Sequence, residues 1–329
     1  MDLFTHVLVA YLVTYGTVGF QPSYLAAGAI AGGLPDGDIL LWPLSKRFPI
    51  FRHHGITHSL FGVSVVAVVG AFVAPRLAPG SVVVYFAVIE LGGIAHILMD
   101  GFTNFSVPPF LPFSDRALHI DADRAVNLVT LVISVASFYL LLGVERNHVA
   151  FSVYTATVWG LIGIFAAYFL IRLAGRYLIG REIRSLPPGT APVPRSDPFR
   201  WLVVGEQVRD GRMTITYARY TLGRGFTMGP LSLSAPLEPP VRPGPVKDAQ
   251  DALERSFGLA RKASRMLADS YLFGEAHPGP GGAWSAIWYS LEFSGFGRAA
   301  GARVEFAADG TPTVKTGWQR AGPPGAGTP

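Results

Sequence analysis

The sequence predicts a mostly α-helical membrane bundle, with about five or six membrane segments, followed by a small α+β domain. Two observations lead to this prediction. The composition is 50% hydrophobic and only 15% charged, with a mean hydropathy of +0.36, which lies outside the range of ordinary soluble proteins. The apolar residues are also concentrated before residue 176, in stretches close to the ~20 residues that cross a bilayer as a helix.

Six apolar segments follow one another in this first part. The last four approach or exceed the length of a membrane span. The second is rich in small residues, which allow close helix contact, and is interrupted at residues 35–38 by PDGD. It is therefore either a broken helix that dips into the protein or a complete span. The segments cover about residues 3–20, 23–44, 56–74, 81–103, 124–144 and 150–176.

The basic residues beside these segments predict an orientation. Most of them fall in alternate connections, whereas the opposite connections carry only Arg76 and Arg146. Loops rich in lysine and arginine remain in the cytoplasm. We therefore expect six spans with the C-terminal region in the cytoplasm. The basic residues assigned to that side are Lys46, Arg47, Arg52, Arg116, Arg124, Arg172, Arg176, Arg181 and Arg184.

The sequence changes character after residue 176. The net charge of the chain is +5, and the whole excess of basic residues lies in this second part. Acidic residues, proline and glycine interrupt the basic ones, so we expect no nucleic-acid binding. Residues 177–196 are predicted to be a linker, residues 197–318 a cytoplasmic α+β domain, and residues 319–329 a disordered tail.

Local patterns predict the elements of the C-terminal domain. β-Forming residues on both sides of Asp210 and Gly211 predict a hairpin. Residues 247–273 have helical periodicity, and residues 284–295 and 302–317 are predicted to form further strands. The tryptophans predicted to lie in its core are Trp201, Trp284 and Trp288.

Histidine and aspartate occur at the ends of the apolar segments. In HILMD, His96 and Asp100 are four residues apart, so on a helix they lie on one face and can bind one ion. Such groups cost ~3 kcal/mol or more each in hydrocarbon, which favours a functional interpretation. The alternative is a polar pair whose members satisfy each other inside a bundle.

The stretch LPDGD contributes two carboxylates. Pro35 and Gly37 predict a turn directly after an apolar helix, and this turn presents Asp36 and Asp38. Two carboxylates so close together suit a hard or borderline cation. The alternative is a turn with a capping aspartate, which is common.

The stretch RHHGITHS contributes histidines. A turn at Gly55 can bring His53 towards His58, which begins the following helix. The alternative is a solvated polar loop, and His54 is the residue that this alternative fits best. His6 lies one turn into the first helix. As a single histidine, it is a candidate ligand only because the other candidates are present.

Three further residues are candidates for catalytic proton transfer. Asp115 and His119 lie in the proline-rich stretch 106–124, which follows HILMD; it is either part of the site or a surface loop. Asp38 in LPDGD is the third. General bases of these residue types accept a proton from a nucleophilic water.

The predicted topology places the candidate metal ligands on one cytoplasmic face. The chain contains no cysteine, so a metal can only be bound by imidazole and carboxylate groups. We expect one or more divalent ions, with zinc favoured. The predicted ligands are His6, Asp36, His53, His58, His96 and Asp100.

The order of these motifs resembles a known family. The start THVLVA, then LPDGD, HHGITHS, HILMD and the proline-rich loop are similar to the YdjM-like membrane-bound metal-dependent hydrolases, also known as a domain of unknown function. The resemblance covers about residues 1–176. The family typically has HRGFTHS, so His53 matches its histidine and His54 replaces its arginine; Gly37 replaces a larger residue.

A more distant similarity is to zinc-dependent phospholipase C and the P1-type nucleases. This resemblance implies metal ligation by His6, Asp36, His53 or His58, His96 and Asp100, with Asp100 as a bridging ligand. It also implies a phosphoester or lipid substrate. The resemblance to the YdjM-like membrane proteins implies a location in the inner membrane of a prokaryotic cell.

Three functions remain open at this point. The first is an integral membrane hydrolase that depends on a divalent metal. The second is a metal transporter, although transport sites are expected near the bilayer midplane. The third is a noncatalytic scaffold whose metal holds the helices together, which would require protein ligands at every coordination position.

Overall fold

The computed structural model describes residues 1–41, 47–48, 50, 54–104, 106–124, 126–147, 150–236, 244–263, 267, 272–295 and 298–320. The chain divides into two compact units. Met1–Arg176 and Arg195–Pro198 form the first, and Tyr177–Pro194 and Phe199–Pro329 form the second. The first unit is helical, and the second consists mainly of β-strands with one amphipathic helix.

Six α-helices account for most of the described residues of the first unit. Between α2 and α3, two short 3-10 turns cover Pro35–Leu41 and Ile56–His58. The last helix continues into the second unit. The helices are α1 (Leu3–Val18), α2 (Pro22–Gly33), α3 (Leu60–Leu77), α4 (Val82–Phe102), α5 (Leu128–Arg146) and α6 (Phe151–Glu182).

Helices α3 to α6 are long and apolar enough to cross a bilayer, so the described residues contain four candidate spans. The first two predicted segments form shorter helices, since α1 has 16 residues and α2 has 12. Helix α2 ends at Gly33, and a 3-10 turn begins at Pro35. Proline lacks the N–H that would continue the helix, so the second segment is the broken form.

Close packing joins α2 to its neighbours α1 and α4. A Cβ atom at Gly92 would lie 2.4 Å from the carbonyl oxygen of Gly28, and one at Gly32 would lie 2.9 Å from the carbonyl oxygen of His6. Both positions therefore accept only glycine without a shift of the backbone. Small residues at such contacts let helices approach closely, and this approach brings α1, α2 and α4 together around the candidate ligands.

The connection between α4 and α5 folds back against the end of α4. Asp123 pairs with Thr103 in an isolated β-bridge. The carboxylate of Asp123 accepts hydrogen bonds from Asn127 Nδ2 at 2.6 Å and from the Tyr168 hydroxyl at 2.6 Å, and it lies 3.1 Å from Arg172 Nη2. These contacts attach the proline-rich loop to α5 and α6.

The second unit contains two four-stranded antiparallel sheets, with the strands of each in sequence order. Helix α7 (Ala249–Ala263) connects them in the chain. The first sheet consists of β1 (Thr190–Pro194), β2 (Arg200–Arg209), β3 (Arg212–Thr221) and β4 (Gly225–Pro236). The second consists of β5 (Leu272–Pro278), β6 (Trp284–Gly295), β7 (Arg298–Phe306) and β8 (Pro312–Arg320).

The hairpin predicted around Asp210 and Gly211 is present between β2 and β3. These two residues have φ values of +52° and +72°, and Arg209 pairs with Arg212. Positive φ at both central residues is the geometry of a type I′ turn, which suits the twist of antiparallel strands.

Two of the three tryptophans predicted to lie in the core of the second unit are fully buried. Trp288 is buried in the main core, and Trp284 is partly buried against it. Trp201 is buried in a separate cluster with Val203 and Tyr220. Helix α7 packs its apolar face, including Phe257, on the sheets. The Trp288 indole donates a hydrogen bond of 2.8 Å to Ser256, which satisfies its buried N–H.

Some elements of the second unit differ from the predictions. The predicted helix over residues 247–273 is described only as Ala249–Ala263 and Leu267. Residues 177–196 contain the end of α6, a 3-10 turn and strand β1. Most of the predicted tail, residues 321–329, lies outside the described residues.

Candidate metal centre

Three separate segments contribute to one cluster of nitrogen and oxygen atoms. Asp36 lies in the 3-10 turn after α2, and His58 ends the 3-10 turn before α3. His96 and Asp100 lie one turn apart on α4, as their spacing predicts. One ligand atom from each of these four residues lies within 4.8 Å of the other three.

The distances between these atoms suit a single small ion. His96 Nε2 and His58 Nε2 lie 3.3 Å and 3.5 Å from Asp100 Oδ2. The same two nitrogens lie 3.7 Å and 3.5 Å from Asp36 Oδ1. Ligand atoms about 2.1 Å from a tetrahedral zinc ion are about 3.4 Å from one another, which is close to these four distances.

The cluster also contains buried atoms whose hydrogen-bonding capacity is unused. His96 Nε2 and Asp100 Oδ2 are buried and make no hydrogen bond with any residue that the structure describes. Burying such groups without partners costs free energy, and a cation between them would recover it. The Asp36 side chain is 23% exposed, so the cluster is accessible at this residue.

Hydrogen bonds behind the cluster orient the two histidines. His96 Nδ1 donates to the carbonyl oxygen of Gly32 at 2.7 Å, which leaves the lone pair of Nε2 available to a metal. Asp38 Oδ2 lies 3.3 Å from His58 Nδ1 and accepts a hydrogen bond from Thr57. Asp38 is thus in contact with the ring nitrogen of His58 that does not face Asp100; its role in proton transfer stays a prediction.

Two further histidines approach Asp100. His6 Nε2 lies 3.0 Å from Asp100 Oδ1, and its ring stacks on His96 at 3.8 Å; the amino group of Met1 binds the same oxygen. His54 Nε2 lies 3.7 Å from Asp100 Oδ2. Sequence reasoning ranked His54 below His53, and only its position beside Gly55 signalled that a turn can redirect it. His53 itself lies outside the described residues.

The carboxylates determine the electrostatics of the cluster. Burial lowers the pKa of His58, but Asp36, Asp38 and Asp100 outweigh this effect and raise it to about 9. Burial would raise the pKa of Asp36, yet contact with the His58 ring lowers it below its usual value. Ionised carboxylates gathered around the imidazoles favour a bound cation.

The remaining predicted residues lie apart from this cluster. Asp115 and His119 are exposed, and His119 Nδ1 pairs with Asp121 at 3.0 Å. No described contact joins either residue to the four ligands, so their catalytic role stays a prediction. Glu90, earlier on α4, accepts a hydrogen bond from Ser64.

Comparison with known proteins places the helical unit in a family. Inner membrane protein YbcI of Escherichia coli (strain K12) is 29% identical over 90 residues, which make up 27% of this chain and 52% of that protein. The chain therefore spans about half the length of this relative. No solved structure matches the chain significantly. The family described as YdjM inner membrane protein matches residues 1–179, and the chain belongs to this family.

Proposed function

We propose that the protein is an integral membrane hydrolase that depends on a divalent metal, with zinc favoured. Its ligands are Asp36, His58, His96 and Asp100, its site lies at the cytoplasmic face, and its substrate is a phosphoester or lipid. The basic residues in the connections support this orientation, with the C-terminal unit in the cytoplasm.

One observation carries the proposal. Two imidazoles and two carboxylates from three segments converge within 4.8 Å, at the ends of apolar helices where each such group is costly. A hydrogen bond orients the ring of His96, and Asp100 Oδ2 accepts no hydrogen bond from any described residue, which supports a bound cation at this point. This donor set contains no thiolate and suits zinc, which would need a further coordination position for water in order to act in hydrolysis.

The residues of the chain have separate roles in this proposal. A divalent ion would supply Lewis-acid activation of water and of a phosphoryl or acyl oxygen. Gly32 and Asp38 orient the rings of His96 and His58. Asp36, the most accessible ligand, lies where substrate enters. Asp38, Asp115 and His119 are the proposed proton acceptors.

Elemental analysis of the detergent-purified full chain tests the proposal. We expect about one or two zinc ions per chain, and Asp100→Asn should lower the metal content at least ~10-fold. Hydrolysis of a chromogenic phosphodiester should fall to background in the same variant and after chelation. Glu90→Gln is the matched control, because it alters a carboxylate on the same helix outside the cluster; it should keep metal and activity.

Wild-type protein without stoichiometric metal, or equal metal loss in Glu90→Gln, would contradict the proposal. A structural metal site is the second candidate, since four protein ligands already complete a tetrahedron. That candidate predicts metal bound in the wild type, lost in Asp100→Asn, with no open water position and no hydrolysis.

A further inference from the structure

An apolar groove lies between α2, α3 and α4 of the helical unit. Its volume is about 280 Å³, near the lower end of ligand pockets at ~300 Å³. Val63 and Ile89 form a buried floor, whereas Leu34, Phe61 and Val66 on its rim are 46%, 46% and 40% exposed. No charged side chain lines the groove among the residues that the structure describes, so it suits an apolar guest.

The groove and the metal cluster share one face of α4. Ile89 and Gly93 line the groove, and His96 and Asp100 continue the same helix at intervals of three and four residues. Residues at such intervals lie on one helical face. The groove therefore comes within one helical turn of His96 along α4.

The two 3-10 turns, Pro35–Leu41 and Ile56–His58, also contribute both to the groove and to the cluster. Pro35 and Thr57 line the groove, and the residues that follow them in the chain are the ligands Asp36 and His58. Thr57 also donates a hydrogen bond to Asp38, which orients His58. Every segment that supplies a ligand thus supplies part of the groove as well.

The rim of the groove opens on the apolar surface of a candidate span. Val65 and Val66 on α3 line the groove and are 47% and 40% exposed, and α3 is apolar enough to lie in a bilayer. A hydrocarbon chain in the bilayer has already left water, so entering the groove adds little hydrophobic free energy. What the groove supplies is the orientation of the attached polar head.

From this continuity we infer that the groove binds the hydrocarbon chain of a membrane lipid whose phosphate-bearing head reaches the metal cluster. The inference rests on the proposed function and narrows its substrate to a phospholipid-like amphiphile. The apolar lining accounts for the chain, and a cation held among Asp36, His58, His96 and Asp100 accounts for an anionic head.

Photo-labelling of the full chain in lipid nanodiscs tests the inference. The probe is phosphatidic acid with a diazirine in one acyl chain, and labelled peptides are identified by mass spectrometry. We expect label on residues 56–66 and 89–93 to exceed label on the exposed face of α5 several-fold. Diacylglycerol with the same photoreactive chain should label the groove several-fold less, because it lacks the phosphate.

Matched variants on α3 separate the groove from ordinary lipid contact. Val66→Trp fills the groove and should reduce groove labelling at least fivefold; Val65→Trp provides a second filling variant. Val69→Trp is the control, since Val69 is 59% exposed on the same helix and does not line the groove. It should label like wild type.

The outcomes distinguish this inference from the proposed function. Uniform labelling of all apolar faces, or unchanged labelling in both filling variants, would overturn the groove assignment even if the protein contains metal. Equal labelling by diacylglycerol would overturn the phosphate-headed class. Selective labelling in protein that contains no metal would support the groove as a lipid site and would contradict the proposed metal-dependent hydrolase.

Discussion

Both units of the chain bury charged side chains, but they surround them differently. In the second unit, Arg255 binds Asp251 through Nε at 3.0 Å and Nη2 at 2.9 Å, and its Nη1 donates to the carbonyl of Gly244. In the helical unit, His96 Nε2 and Asp100 Oδ2 lie buried without a hydrogen bond to any described residue.

The difference is between buried charged groups that hydrogen-bond each other and buried groups that keep atoms without a hydrogen bond. A buried ion pair with two parallel hydrogen bonds satisfies its own groups. Asp123 shows that the helical unit can do the same, since Asn127 and Tyr168 donate to its carboxylate. Burial in this unit therefore does not by itself leave a carboxylate oxygen without a hydrogen bond, and the atoms around Asp100 are the feature on which the proposed metal site rests.

The largest expected effect comes from breaking the structural pair. Arg255→Met removes the guanidinium that neutralises the buried Asp251 carboxylate, which should cost the second unit about 3–5 kcal/mol of stability. Guanidinium unfolding in detergent, followed by tryptophan fluorescence, measures the loss. Metal content should not change, because the pair lies in the other unit.

The double variant Asp251→Leu with Arg255→Met is the control for this experiment. It removes both charges, so it should recover most of the lost stability. Loss of metal in Arg255→Met would show that the comparison between the two units is wrong.

A smaller effect is expected from crowding the helices that carry the cluster. In Gly92→Ala the new Cβ atom would lie 2.4 Å from the Gly28 carbonyl oxygen, and relieving this contact should cost about 1–3 kcal/mol. Metal content should fall with stability, because α2 leads into Asp36 and α4 carries His96. Melting temperature and elemental analysis measure the two effects.

Gly160→Ala is the matched control, since a Cβ atom there meets nothing within 4 Å. Alanine is favoured over glycine in a helix by roughly 0.5–1 kcal/mol, so this variant should be neutral or slightly stabilised. Unchanged melting and metal content in Gly92→Ala would mean that close helix contact does not position the ligands.

The smallest effect is expected when a single hydrogen bond between two helices of the bundle is removed. The Tyr15 hydroxyl donates to Thr155 at 3.0 Å, and Tyr15→Phe should cost about 0.5–1.5 kcal/mol with metal content unchanged. Tyr139→Phe, at a side chain 80% exposed, should have no measurable effect on the melting temperature. Metal loss in Tyr15→Phe would extend the functional region beyond the cluster.

Local patterns predicted much of the fold and part of the site. The four long apolar helices and the hairpin at Asp210 follow from hydropathy and turn preference. The break at Pro35 was one of two alternatives that the sequence left open. The pairing of His96 with Asp100 follows from helical geometry. Strands β1, β4 and β5 were not predicted, because their short apolar patterns acquire meaning only against neighbouring strands.

Sequence periodicity did not predict where the side chains on the turns would lie. His54 has a φ of +60°, which is uncommon outside glycine, and this conformation directs it towards Asp100. Asp38 contacts His58 Nδ1, whereas Asp115 and His119 remain exposed. At His54, the backbone rotation about φ decides where the side chain lies.

By itself the sequence determined the membrane character of the first unit, the residue types available to a metal and the helical pair in HILMD, because these depend on composition and on contacts within one segment. The tertiary structure alone decided that Asp36 and His58 join that pair, that Gly32 orients His96, and that residues next to the ligands in the chain line an apolar groove. Those features depend on how closely separate helices approach, which the glycine contacts between α1, α2 and α4 determine.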